Sequence, residues 1–147
     1  MSQTVLRLPE GTIGPVKMVL MDLDGTALDP DEELTPSTMD ALGRLKKCGI
    51  PYTFASARTA SMMALHCQRA NVSGPIIAME GAEIRIWETG NTICHFPMER
   101  NAALALMEFC HHIGVDYTFY TPHTAYFRLK GKGTLTVPFQ TILPSEP

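Results

Sequence analysis

The stretch "VLMDLDGTALDP", Val19–Pro30, decides the fold. The apolar-rich run Val16–Met21 suits a fully buried strand, yet it stops at two carboxylates, Asp22 and Asp24. An ionised carboxylate loses hydration when drawn into a protein, so paired acids at a strand end call for a compensating charge. Residues two apart on extended backbone share a side, and Gly25 lets the chain turn sharply and a ligand approach closely. Two convergent carboxylates attract a hard divalent cation. Mg²⁺ commonly takes one or two carboxylates together with substrate phosphate oxygens.

Working outward, Gly11, Gly14 and Pro15 punctuate the approach to this strand. "LTPSTMDALGRLKKCGI" reads as a helix: Thr35 can cap it, Pro36 suits its first position, Gly49 closes it, and Met39, Leu42 and Leu45 form a stripe. A second strand follows at Ile50–Ser56, and a second helix at Thr59–Ala70 with Met63, Cys67 and Ala70 on one face. A third short strand follows at Pro75–Met79. Strand, helix, strand, helix, strand argues for parallel strands joined by crossovers. After Ala82 the pattern changes. Two strands flank the turn residues Glu88–Asn91, and a helix follows with Ala103, Leu106, Met107, Cys110 and Ile113 on one face. Strands at Tyr117–Tyr120 and Tyr126–Leu129 then surround "TPHT". The expected division is a core over residues 1–82 and an α+β unit over 83–147, loosely ended from Gly131 onward.

The chain has 147 residues, enough for one respectable core. Its 12 basic and 15 acidic residues give a net charge of −3 with no basic run, which argues against a nucleic-acid partner. No apolar run approaches the roughly 18 residues of a membrane span, and the N-terminus lacks a signal-peptide pattern. The expected compartment is the cytoplasm, with no membrane partner. Cys48, Cys67, Cys94 and Cys110 are scattered and read as free thiols. Cys110, His111 and His112 are adjacent, but neighbouring residues on a helix point apart, so they read as structural rather than as ligands.

In an open parallel sheet, ligands bind beyond the carboxyl ends of the strands. Asp22 and Asp24 lie at that edge. So does "ASART", where Ser56 offers a hydroxyl and the following backbone N–H groups open a helix suited to phosphate. Carboxylates, metal and phosphate seat on neighbouring strand ends make a phosphoryl-transfer site, with Asp22 available as nucleophile. A calcium loop counted from Asp22 fails, because Thr26 holds its fifth position and Ala27 replaces the glycine of its sixth.

"DLDGT" after the first strand, Ser56-Ala57-Arg58 after the second and Glu80-Gly81-Ala82 after the third resemble the haloacid dehalogenase superfamily, in its Cof-type, subfamily IIB branch. The resemblance implies an α/β fold: a Rossmann-like parallel-sheet core, here incomplete, with a partial α+β cap of the C2 type. It implies Mg²⁺-dependent hydrolysis of small phosphomonoesters such as sugar phosphates. Asp22 would be the nucleophile and Asp24 the general acid/base. Mg²⁺ would be held by the Asp22 carboxylate and the Asp24 carbonyl. Ser56 and Ala57 would bind the phosphoryl group, with Arg58 and Gly81 at the junction between core and cap.

This chain departs from the family pattern in two motifs, having Ser56-Ala57-Arg58 for Thr-Gly-Arg and Glu80-Gly81-Ala82 for Asn-Gly-Ala. The resemblance covers roughly residues 16–130, and the chain is expected to stop inside the cap. Neither Lys130 nor Lys132 has the context of the family's phosphate-binding lysine, and no later G-D-x-x-x-D motif follows. Two functions remain open. One is a phosphatase fragment acting on a small phosphorylated metabolite, with self-association or a missing C-terminal segment. The other is a degenerate domain that binds phosphate, metal or a partner without catalysis.

Overall fold

The computed structural model describes residues 15–121, 124–129 and 133–138. Strand β1 (Val19–Asp22) leads through an irregular helical turn, Leu23–Ala27, to helix α1 (Pro36–Lys47). Then come β2 (Tyr52–Ala55), α2 (Ala60–Arg69) and β3 (Pro75–Ala78), followed by β4 (Glu83–Ile86) and β5 (Thr92–His95). Helix α3 (Arg100–Ile113) precedes β6 (Tyr117–Thr121), β7 (Thr124–Leu129) and β8 (Gly133–Pro138).

Local chemistry accounts for the helix starts. Thr35 accepts a hydrogen bond from the Thr38 N–H with Pro36 in the first turn, and Thr59 caps α2 by accepting from Met62. Both satisfy backbone donors that a helix start leaves unpaired. Glu99 does the same for α3, and Gly114 ends that helix with a φ of 70°.

The strands form two sheets, one in the order β1-β2-β3-β4-β5 and one in the order β6-β7-β8. Strands β1, β2 and β3 are parallel, as the alternation of strand and helix implies. Strands β4 and β5 continue the same sheet antiparallel. The tight turn Met79–Gly81 folds β4 straight back along β3 so that Ala78 pairs with Glu83.

One buried cluster joins the layers. Phe54 of β2 and Ile76 of β3 pack with Leu23, Leu42 of α1, and Met63, Ala64 and Cys67 of α2. The stripe of α2 is buried as its spacing implies. That of α3 is only half-buried at Ala103, Met107 and Cys110, and exposed at Leu106 and Ile113. On β4, Glu83 and Arg85 are both buried and joined by two hydrogen bonds, of 3.1 and 2.6 Å.

Strand β1 corrects an expectation. It is not fully buried. Leu20 within it is exposed, as are Val16 and Met18 just before it. Strand side chains point to the two faces of the sheet, so full burial needs a packed layer on each face, which strand hydrophobicity alone does not report. The segment after Gly131 also differs from its expected looseness, because Gly133–Pro138 pairs along β7. Its alternation Thr134, Leu135, Thr136, Val137 has strand period, and Pro138 is tolerable at the end of an edge strand. Pro122 and His123 of "TPHT", and residues 139–147, lie outside the described residues. No helix among the described residues is long and apolar enough to cross a membrane.

Phe54 is fully buried on the central strand pairing, so Phe54→Ala is expected to cost about 3–5 kcal/mol in urea unfolding, where a loss under 1 kcal/mol would contradict this core. Burial also pushes the Cys67 thiol up to about 12, whereas Cys48 is exposed. A disulfide reagent is therefore expected to label Cys48 in the native protein and Cys67 only after denaturation, as read by peptide mass spectrometry.

Candidate active site

The parallel register sets the site. Asp22 pairs with Ala55, and Ala55 with Ile77, so three strands end level with one another. Their exits are then stitched together. Ser56 donates its N–H to the Ile77 carbonyl at 3.0 Å, Glu80 donates to the Ser56 carbonyl at 3.1 Å, and Met79 donates to the Arg58 carbonyl at 2.9 Å.

After β1 the chain turns at Gly25, whose φ is 72°. Asp22 is exposed, and its Oδ1 accepts from the Leu23 N–H at 2.7 Å. Asp24 lies one step on, within the turn. Its compensating charge is supplied by the protein itself, since Arg58 grips the carboxylate with Nε at 3.0 Å from Oδ2 and Nη2 at 2.6 Å from Oδ1. Such a two-pronged, charge-assisted pair is among the stronger hydrogen-bonding arrangements. It holds the Asp24 carboxyl below the ordinary carboxylate range, with the nearby Ser56 hydroxyl acting in the same direction.

Ser56 is buried, and its Oγ accepts from the Arg58 N–H at 3.2 Å. Ala57 is exposed, two residues before the Thr59 cap of α2. Gly81 does not touch these carboxylates in any described contact. It belongs to the β3 exit, where Met79, Glu80 and Gly81 all have positive φ, of 53°, 55° and 93°. Asparagine tolerates that region better than glutamate, so the Asn-Gly-Ala pattern is the easier chemistry for this turn and Glu80 is a strained substitute. Glu80, Arg58, Thr59, Met62, Met79 and Tyr120 line a cavity of about 480 Å³ at the start of α2. Tyr120 reaches it from the second sheet.

Two contributors escaped the sequence reading. Glu32 Oε2 accepts from Arg58 Nη2 at 2.9 Å. His66 is buried on α2 with Nε2 at 3.5 Å from Arg58 Nη1, while its Nδ1 has no partner among the described residues. Burial, and then the Arg58 charge, lower the His66 pKa. Nothing in the local pattern around either residue marks it. Both matter only because folding brings them to Arg58.

The donor set suits a hard cation in kind, offering the Asp22 carboxylate and the Asp24 backbone carbonyl. It is a sparse set, for no group of three or more His, Cys, Asp or Glu residues able to hold a metal occurs among the described residues. A Mg²⁺ ion here would draw its other ligands from water and phosphate oxygens, as that ion often does.

Comparison with known proteins agrees with this architecture. The haloacid dehalogenase-like hydrolase family matches residues 19–138. A Mycoplasma genitalium protein named as a phosphatase is 26% identical over 106 residues, covering 72% of this chain and 38% of that one. A haloacid dehalogenase-like hydrolase from Bacteroides thetaiotaomicron superposes with a TM-score of 0.70 at 20% identity, over 80% of this chain and 46% of that one. A subclass IIB sugar phosphatase gives a TM-score of 0.66 at 24% identity, over 74% and 42%. The chain thus spans less than half the length of each of these relatives. With the motif-bearing strand ends inside the matched span, the chain belongs to the haloacid dehalogenase-like hydrolases.

Proposed function

We propose that this chain carries the nucleophile-bearing part of a phosphatase that hydrolyses small phosphomonoesters through an aspartyl-phosphate. The observation that carries the reading is the level meeting of Asp22, Asp24, Ser56 and the start of α2 at the ends of parallel strands. The Asp22 carboxylate attacks phosphorus, and the bond from phosphorus to the leaving oxygen breaks. Asp24 in its acid form gives that oxygen its proton. Asp24 as carboxylate then takes a proton from water, whose oxygen attacks the aspartyl-phosphate. Inorganic phosphate leaves and Asp22 is restored. Ser56 and the N–H groups of Ala57 and Arg58 hold the phosphoryl oxygens throughout. Mg²⁺, held by the Asp22 carboxylate and the Asp24 carbonyl, would supply charge neutralisation at those oxygens. A cytoplasmic setting, with its phosphorylated metabolites and Mg²⁺, fits this reading.

One observation favours a second reading. Arg58 holds Asp24 as a carboxylate, the wrong form for protonating a leaving group. If that pairing is permanent, the domain binds phosphate without turning it over.

Asp22→Asn is expected to abolish Mg²⁺-dependent hydrolysis of a generic phosphomonoester, because an amide cannot accept the phosphoryl group. Equal turnover in both proteins would remove Asp22 from the mechanism, and phosphate binding with no turnover in either would establish the second reading. Ser56→Ala is expected to weaken inorganic phosphate binding by about 1 kcal/mol with an unchanged circular dichroism spectrum. Unchanged affinity would make Ser56 a strand-end residue only.

A further inference from the structure

Arg58 serves two carboxylates at once, and they differ in how they are held. Asp24 is gripped by both prongs of the fork, while Glu32 takes a single bond from Nη2. The Arg58 side chain is 15% exposed against 51% for Asp24 and 68% for Glu32, so the cation is the fixed member and the anions reach in from solvent. Glu32 is aimed by its loop. Leu28 bridges Leu34, Asp29 Oδ1 accepts from the N–H groups of Asp31 and Glu33, and Glu32 donates its own N–H to the Asp29 carbonyl. That closure puts Glu32 at a φ of 60°, and the adjacent Glu33 forms an ion pair with Arg69 of α2. The loop is therefore tied to Arg58, just before α2, and to Arg69, at the end of α2.

Arg58 also faces the substrate side. Its backbone N–H donates to Ser56 Oγ, and among the described residues it is the only cation lining the cavity at the start of α2. A phosphoryl group there meets a guanidinium already committed to Asp24. A phosphate near −2 outweighs a single carboxylate and matches the same fork. We propose that Arg58 is a transferable clamp: in the empty site it holds Asp24, and a bound phosphoryl group takes over that fork while Glu32 keeps the guanidinium in place. This rests on the phosphoryl-transfer reading of the site. It gives the pairing with Asp24 a purpose, since Asp24 is released for proton transfer only when a phosphoryl group is present.

The test is a titration of the ¹⁵N-labelled chain with inorganic phosphate, following the Arg58 Nε–Hε signal and the backbone amides of Ala57 and Arg58. The Nε–Hε signal is expected to move along the same saturation curve as the amides. Because Asp24 occupies the fork that phosphate needs, Asp24→Asn is expected to bind phosphate about tenfold more tightly. Glu32→Gln removes an equal charge from the same guanidinium but leaves the fork occupied, so its affinity is expected to stay within about twofold of wild type. Equal gains in the two variants would reduce the effect to general charge and overturn the clamp. Saturating amide shifts with a motionless Nε–Hε would overturn it too, while leaving the phosphate seat intact. No saturable amide shift would remove the seat and the clamp together.

Discussion

The parallel register of β1, β2 and β3 is the constraint on which the site depends. Pairing Asp22 with Ala55 and Ala55 with Ile77 brings three chain exits to one level, although they are far apart in sequence. Everything chemical then happens within a few residues of those exits. The buried side chains of Phe54, Ile76 and Met63 hold the register from below, and the backbone bonds among Ser56, Arg58, Met79 and Glu80 lock it from above. A slip of one residue in β1 would turn Asp22 to the other face and separate it from the seat at α2.

Electrostatics at that level balance differently from what paired acids alone imply. The question raised by carboxylates at a strand end has a divided answer. Asp24 is neutralised from within, by Arg58, and Asp22 is left exposed with one oxygen on the Leu23 N–H. That division suits two unlike tasks on two adjacent acids. An exposed carboxylate is available to attack, and a clamped one is held in reserve.

Much of this was legible in the sequence, for identifiable reasons. The parallel order of β1 to β3, the caps at Thr35 and Thr59 and the buried stripe Met63-Cys67-Ala70 follow from local chemistry and period, which a short window contains. The candidate residues Asp22, Asp24, Ser56 and Arg58 could be singled out because each ends or closely follows a strand. What escaped depends on partners. The exposure of Leu20 depends on whether a layer packs on that face of β1, and the pairing of β4 with β3 depends on the turn at Met79–Gly81. Glu32 was invisible because its significance comes from a residue 26 positions away. Hydrophobic period carries no information about such a pairing.

The central claim is that Asp22 accepts the phosphoryl group, and trapping the intermediate tests it most directly. The chain would be incubated with Mg²⁺ and a reactive phosphoryl donor, quenched, and reduced with borohydride, which converts an acyl phosphate to an alcohol. The account predicts homoserine at position 22 in peptide mass spectra, and none there when the donor is omitted. Reduction at Asp24 or at another acid, with position 22 unmodified, would contradict it.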